Sequence, residues 1–196
     1  MYDVLNASTD LDPYFLDPYY FANANFTWEA RMAKETNTLL SKGSRYREWD
    51  WMLPFFMGFN EFYFLHDNAL ASEYLMEAAK RPDAPPMMET LAVRLAYKGN
   101  RTKIAIVFIQ ETLKKTKDKI TRKDLEIRLE ILQDVLALEQ AMEVYRGKYG
   151  KLPLDLKQLQ ARGIIAHIPK DPYGGEFFID KDGSVKTTSD MFVVTK

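Results

Sequence analysis

One spacing constrains the fold of this chain more than any other feature: a large aliphatic residue recurs about every 35 positions. Leu5, Leu40, Leu75 and Ile109 are separated by 35, 35 and 34 residues. A small residue stands three positions after each of the four: Ser8, Gly43, Ala78 and Thr112. Another small residue stands four positions before each of the last three: Thr36, Ala71 and Ala105. Positions with these offsets share one helical face. The period predicts stacked helix pairs in which a large residue packs between small ones.

This pattern resembles the tetratricopeptide repeat, a helix pair with a period of 34 residues. Pro13 and Pro82 fall where such repeats end, and the segment "MGFNEFYFLHDNALASEYLMEAAKRP" reads as one complete unit. The resemblance covers residues 1–118 and implies a mainly α fold, an α-solenoid of stacked antiparallel helix pairs. A generic helical bundle with coincidental spacing is the alternative.

The repeat at the N-terminus is expected to be truncated. Leu5 and Ser8 occupy second-helix positions, but no first helix precedes them in the sequence. A stack of repeats that is cut in this way exposes an apolar face. We therefore expect residues upstream of Met1, among which a signal or a membrane anchor has a place.

Two further segments follow the repeats. In residues 119–150 an apolar stripe steps by four and three positions from Ile131 to Tyr149, which predicts a long helix that caps the array. In residues 151–196 we expect a short helix over 155–162, closed by Gly163. Strands over 176–180 and 184–188 should then form a β-hairpin around the turn at 181–183.

The last segment resembles the C-terminal part of the major pseudopilins of type II secretion. The matching residues run from Tyr145 to Pro153 and from Leu156 to Phe177. The hydrophobic filament helix of pseudopilins has no counterpart in this sequence, so the resemblance implies a shared structural module. Helical repeats joined to such a tail resemble bacterial envelope proteins of unassigned function. This implies a periplasmic or envelope location, with the cytoplasm as the alternative.

Motifs for catalysis or cofactor binding are missing from the sequence. His66 and His167 have no second histidine four residues away and no adjoining nucleophile motif, and the chain has no glycine-rich phosphate-binding loop and no cysteine. The sequence therefore predicts a protein that is not an enzyme and needs no cofactor. The net charge of −1 gives no overall attraction to nucleic acid or to an anionic membrane.

Two local charge patterns have a functional and a structural interpretation. Asp180, Asp182 and Ser184 alternate as calcium ligands do, but the Asp-Gly sequence at 182–183 is also a common hairpin turn, which we favour. A basic cluster has no interleaved aromatic residue for base stacking, so a solvated helix surface is preferred to a nucleic-acid site: Lys114, Lys115, Lys117, Lys119, Arg122 and Lys123.

Asparagine and aromatic residues recur at the repeat length in the first helix of each pair. Asn25 and Asn60 are 35 residues apart, and Trp28, Tyr63 and Tyr97 follow with spacings of 35 and 34. With Phe56, these six residues are predicted to line a concave groove that binds a protein or peptide partner. Using the small residues Ala24, Gly58 and Ala92 as the packing column shifts the register by one and buries part of this set.

The sequence thus predicts a non-enzymatic protein-interaction scaffold, at the bacterial envelope and associated with pilus or secretion machinery. The alternative function is a structural subunit that packs into such an assembly through the pseudopilin-like tail.

Overall fold

The computed structural model describes residues 1–28 and 31–189. The chain is mainly helical, with a small two-stranded antiparallel sheet near the C-terminal end of the described residues, as the residue spacing and turn residues predict. It divides into two compact units, one formed by Met1–Arg101 and a second that begins at Thr102. The segment divisions predicted after residues 118 and 150 stay predictions.

The first unit consists of consecutive helices, each of which packs against the next. A π-helical segment, Glu61–Leu65, continues directly from the fourth helix. The helices are α1 (Tyr2–Leu11), α2 (Asp17–Asn25), α3 (Ala33–Tyr46), α4 (Met52–Asn60), α5 (Asn68–Ala79) and α6 (Met87–Lys98).

Local sequence signals account for several helix ends. Pro18 lies in the first turn of α2, where its missing N–H costs no hydrogen bond. The carboxylate of Asp67 accepts a hydrogen bond of 2.9 Å from the N–H of Leu70 and so caps the start of α5. Gly99 ends α6 and lies so close to Ala69 that a Cβ atom at this position would be 2.6 Å from the Ala69 nitrogen.

From Thr36 onward, the large and small residues of the sequence period are buried in the core. Leu40 and Leu75 are almost fully buried, as is Ile109 in the second unit. A Cβ atom on Gly58 of α4 would lie 2.9 Å from Cγ of Leu75 on α5, and one on Gly43 would lie 2.8 Å from the ring of Tyr19. A side chain larger than that of glycine therefore does not fit at Gly43 or Gly58 without a shift of the neighbouring helix or ring.

Polar links connect residues of the first unit that lie about one sequence period apart. The guanidinium of Arg47 donates to the carbonyl of Tyr14, 33 residues earlier, at 2.8 Å. Arg81 donates in turn to the carbonyl of Arg47, 34 residues earlier, at 2.9 Å. The Ser44 hydroxyl donates to the carboxylate of Glu77 at 2.9 Å, across 33 residues. The same kind of contact thus recurs along the chain.

The second unit begins with α7 (Thr102–Lys115) and α8 (Lys119–Tyr149). The 31 residues of α8 confirm the predicted long helix. Its N-cap is Asp118, whose carboxylate accepts a hydrogen bond from the N–H of Thr121 at 2.7 Å. Gly150 ends the helix with φ at +71°, a conformation that favours glycine.

The tail of the second unit contains α9 (Leu156–Ala161) and an antiparallel hairpin of β1 (Phe177–Ile179) and β2 (Val185–Thr187). Phe177 pairs with Thr187 and Ile179 with Val185. The hairpin contacts α8 through β2 and α9 through β1, so it is docked on helices of its own unit. This satisfies the requirement that an isolated hairpin needs a supporting surface.

Candidate protein-interaction surface

The structure brings two of the six predicted groove residues together on an exposed surface. Trp28 and Tyr63 are 54% and 50% exposed, and their ring centroids are 5.4 Å apart. Asn25 is half-buried, and its amide donates to the carbonyl of Phe21 within its own helix at 2.8 Å. Phe56 is half-buried against the core of the first unit.

The remaining two predicted groove residues are buried, so their predicted exposure is wrong. Asn60 and Tyr97 are only 1% and 8% exposed. The Asn60 amide donates to Oδ1 of Asn23 at 3.0 Å and to Oδ1 of Asn37 at 2.8 Å, which satisfies it inside the protein. Gly58 and Ala92, from the alternative packing column, are buried as well, so α4 and α6 follow the register shifted by one residue. The π-helical segment that begins at Glu61 explains only why Tyr63, three residues after Asn60, does not share its buried face.

Four aromatic side chains form a continuous surface, here called the aromatic cluster: Trp28, Phe59, Tyr63 and Phe64. The rings of Phe59 and Tyr63 stack at 5.5 Å with an interplanar angle of 8°. Phe64 meets Trp28 edge-on at 4.8 Å and Tyr63 at 5.0 Å. Offset and edge-on pairs of this kind hold aromatic rings in fixed orientations.

The backbone that carries the aromatic cluster departs from regular α-helix after Asn60. The π-helical segment carries Tyr63 and Phe64 and ends at His66, which has a left-handed conformation with φ at +57°. Asp67 then caps α5. Short π-helical segments occur frequently at functional sites because they turn side chains away from the regular helical register.

A groove of about 700 Å³ adjoins the aromatic cluster, and it is here called the polar groove. One wall belongs to α3, and the other is built by the π-helical segment and α5. Phe64 belongs to both the groove and the aromatic cluster. The lining residues are Lys34, Asn37, Thr38, Ser41, Arg45, Glu61, Phe64, Leu65, Asp67, Leu70 and Tyr74.

Glu61 lies in the wall of the polar groove, and the residue as a whole is 7% exposed. Its Oε1 accepts a hydrogen bond of 2.9 Å from the Asn37 amide, which also bonds to Asn60 through its own oxygen. Burial raises the pKa of Glu61, and the Asn37 hydrogen bond opposes that rise in part. Within the described part of the chain, Oε2 has no protein donor and the carboxylate has no ion-pair partner.

A second exposed aromatic patch in the same unit is formed by the loop between α1 and α2, the end of α3 and the loop between α3 and α4. Tyr14 stacks on Trp49 at 6.2 Å and meets Tyr46 edge-on at 5.8 Å. The guanidinium of Arg47 lies 5.3 Å from the centroid of Trp49, a cation–π contact. The acid beside this patch, Asp50, already forms an ion pair with Arg47 at 3.2 Å, which makes the patch a matched comparison for the aromatic cluster.

The tail has its own cavity of about 760 Å³, between α9 and the hairpin. The buried carboxylate of Asp171 is fully engaged there by the N–H of Tyr173 at 2.8 Å and by the hydroxyls of Thr187 and Ser189. These bonds fix the hairpin, so we assign Asp171 a structural role.

The oxygen atoms proposed as a calcium alternative are used inside the hairpin turn. Oδ1 of Asp182 accepts from both the N–H and the hydroxyl of Ser184, and the carbonyl of Asp180 accepts from the N–H of Gly183. Gly183 has φ at +81°, as a tight turn requires. Across residues 1–28 and 31–189, no three histidine, aspartate or glutamate side chains cluster as metal ligands would.

The sequence interpretation did not assign Phe59, Phe64, Asn37 or Glu61 to the predicted groove. One signal for Glu61 was present, because it is the only charged residue in the apolar run from Met52 to Leu65. The pairing of Asn37 with Glu61 crosses 24 residues and has no local signature.

In the described residues, none of the helices has the length and apolarity needed to cross a bilayer. Comparison of the chain with protein-family models, curated proteins and solved structures found no match. The surface is therefore interpreted from its own chemistry.

Proposed function

We propose that the protein is a non-enzymatic interaction scaffold that binds a segment of another protein across the aromatic cluster and the polar groove. The observation that carries this proposal is the cluster itself. Four contacting rings, two of them half exposed, adjoin a groove lined by amide, hydroxyl and carboxylate groups. Tryptophan and tyrosine dominate the binding energy of protein interfaces because they bury a large area at small entropic cost.

The scaffold is proposed to be a short solenoid similar to tetratricopeptide repeats. Three observations support this architecture: the 34–35-residue spacing of large residues, the buried Gly58–Leu75 contact between consecutive helices, and the hydrogen bonds that link residues 33 and 34 apart. Each is expected when one helix pair stacks on the next with a constant rotation.

The polar groove complements the rings. Thr38 and Ser41 offer hydroxyls beside the aromatic surface, where the backbone of a bound segment needs hydrogen-bond partners. Leu65 and Leu70 add apolar area to the same groove. An anchor ring with satisfied polar groups around it is the usual composition of a binding hot spot.

Selection of random 12-residue peptides displayed on phage against the full chain tests this function. Fluorescence polarisation then gives the Kd of the selected peptides for the wild type and for the double variant Trp28→Ala/Tyr63→Ala. We expect binding to weaken at least about tenfold, since truncation of one anchor ring typically costs 1 kcal/mol or more.

The matched control is Tyr46→Ala/Trp49→Ala, which removes an equally exposed pair of rings from the second patch. This variant should bind the peptides as the wild type does. Failure to select any peptide, or equal loss of affinity in both double variants, contradicts the proposal.

A second candidate function is a structural subunit that assembles through the tail. It is favoured by the exposure of two apolar side chains at the tail cavity, Leu154 at 86% and Phe178 at 40%. By the resemblance to pseudopilins, we propose the bacterial envelope as its place of action. Co-purification of envelope components that is abolished by Leu154→Ser/Phe178→Ser, but not by Trp28→Ala/Tyr63→Ala, would favour this candidate over the first.

A further inference from the structure

We propose that the polar groove accepts a lysine or arginine side chain of the bound segment, whose charged end pairs with the carboxylate of Glu61. This inference rests on the proposed function and names the chemistry of the partner. The fold leaves the carboxylate of Glu61 with a single hydrogen-bond donor, the amide of Asn37.

Glu61 is held in place at a cost to stability. Glu61 is 7% exposed as a residue, so its carboxylate loses hydration, and the single hydrogen bond from Asn37 replaces only part of it. Folded proteins normally pair such a charge, and no cation within residues 1–28 or 31–189 forms an ion pair with it. A buried acid that lines a groove and keeps one oxygen without a donor is suited to a cation from outside the chain.

The surroundings of Glu61 fit the rest of a basic side chain. Phe64, Leu70 and Tyr74 line the same groove and offer apolar contact to the methylene stem of lysine or arginine. Asp67 adds a second carboxylate to the lining. An aromatic residue next to the basic one in the bound segment would then rest on the aromatic cluster, because Phe64 belongs to both surfaces.

Two cations of the groove lining, Lys34 and Arg45, oppose an incoming positive charge. Both are exposed and sit on α3, and Arg45 already donates to the carbonyl of Ser41 within that helix. Their exposed charges are screened by water and salt, whereas an ion pair at the buried carboxylate is screened much less. The attraction of Glu61 therefore outweighs their repulsion at short range.

The test is an NMR titration of the isotope-labelled full chain with N-acetyl-arginine amide and N-acetyl-lysine amide. N-acetyl-citrulline amide and N-acetyl-norleucine amide serve as uncharged probes of matched size. We expect saturable shifts of the backbone amides of Asn37, Glu61 and Phe64 with at least one basic probe, in the millimolar range. The uncharged probes should produce shifts that are smaller and do not saturate.

The decisive variant is Glu61→Gln, which keeps the size of the side chain and the acceptor for the Asn37 amide. We expect it to weaken binding of the basic probe at least about tenfold, since an ion pair formed in a desolvated site is lost. Lys34→Gln also removes one charge from the groove and is the opposite-sign comparison: it should bind the basic probe more tightly, because a repelling cation is lost.

Equal binding of charged and uncharged probes, or no loss in Glu61→Gln, overturns the inference. Because neither result requires Trp28 or Tyr63, failure here leaves the peptide-binding function to be judged by its own experiment.

Discussion

The contact between Gly58 and Leu75 offers the sharpest test of how the first unit is packed. Leu75 is 1% exposed, and its Cγ lies where a Cβ on Gly58 would approach to 2.9 Å. Leu75→Ala removes three carbon atoms from a filled site and should cost about 3–4 kcal/mol, in the middle of the range measured for buried leucines.

Gly58→Ala perturbs the same contact from the other side. The added methyl group would also lie 3.1 Å from the carbonyl oxygen of Ala71, so overpacking should cost about 1–3 kcal/mol. The higher helix propensity of alanine stabilises the folded state by about 1 kcal/mol and offsets part of this cost. In the Leu75→Ala background the Cγ clash disappears, so the double variant should be more stable than the sum of the single changes implies, by about 1 kcal/mol.

Urea denaturation followed by tryptophan fluorescence measures these effects. All three tryptophans, Trp28, Trp49 and Trp51, belong to the first unit and report its unfolding. With a denaturant slope of about 1–3 kcal/mol per molar urea, Leu75→Ala should lower the midpoint by more than about 1 M. Leu11→Ala, at a leucine that is 90% exposed, is the control and should change stability by less than about 0.5 kcal/mol. A cost below 1 kcal/mol for Leu75→Ala, or strictly additive variants, would refute the packing described above.

Three further outcomes are expected. Phe177→Ala should destabilise the second unit by about 3–5 kcal/mol in thermal melts followed by circular dichroism, since the ring is buried; a shift under one degree would mean that the hairpin is not docked. Asn60→Ala leaves Asn37 without one of its partners and should cost about 1–3 kcal/mol by urea titration, whereas an unchanged midpoint would contradict the buried amide network. Folding raises the pKa of Glu61, so the contribution of this residue to the free energy of unfolding is greatest at acid pH and falls as pH rises through the folded-state pKa. Lys34 and Asp67 are the charged residues that act on the Glu61 carboxylate. Glu61→Gln should therefore be more stable than the wild type at pH 7 but not at pH 4, and equal stability at both would show that the carboxylate is hydrated.

The repeat period predicted which recurring large and small residues are buried, because positions at these offsets share one face of a helix. Leu40, Leu75 and Ile109 are buried for that reason, and the small size of Gly43 and Gly58 follows from the helices they contact. The long helix and the hairpin were also predicted, from a regular apolar stripe and from an Asp-Gly turn.

The candidate site was predicted only in part. Trp28 and Tyr63 meet at the surface, but Asn60 and Tyr97 are buried because α4 and α6 pack in the register that also buries Gly58 and Ala92. The π-helical segment has no signature in hydrophobic periodicity, since its residues after Glu61 are all aromatic or aliphatic. The contact between Asn37 and Glu61 depends on how two helices dock, which a single sequence does not specify.

Oxidative footprinting of the full chain by hydroxyl radicals, with and without a selected peptide, tests the central claim most directly. Mass spectrometry then compares the oxidation of Trp28 and Tyr63 with that of Trp49, which has the same exposure as Trp28. If the aromatic cluster is the binding surface, the peptide should protect Trp28 and Tyr63 several-fold and leave Trp49 unchanged. Protection of Trp49 alone, or unchanged oxidation at Trp28 under saturating peptide, would contradict it.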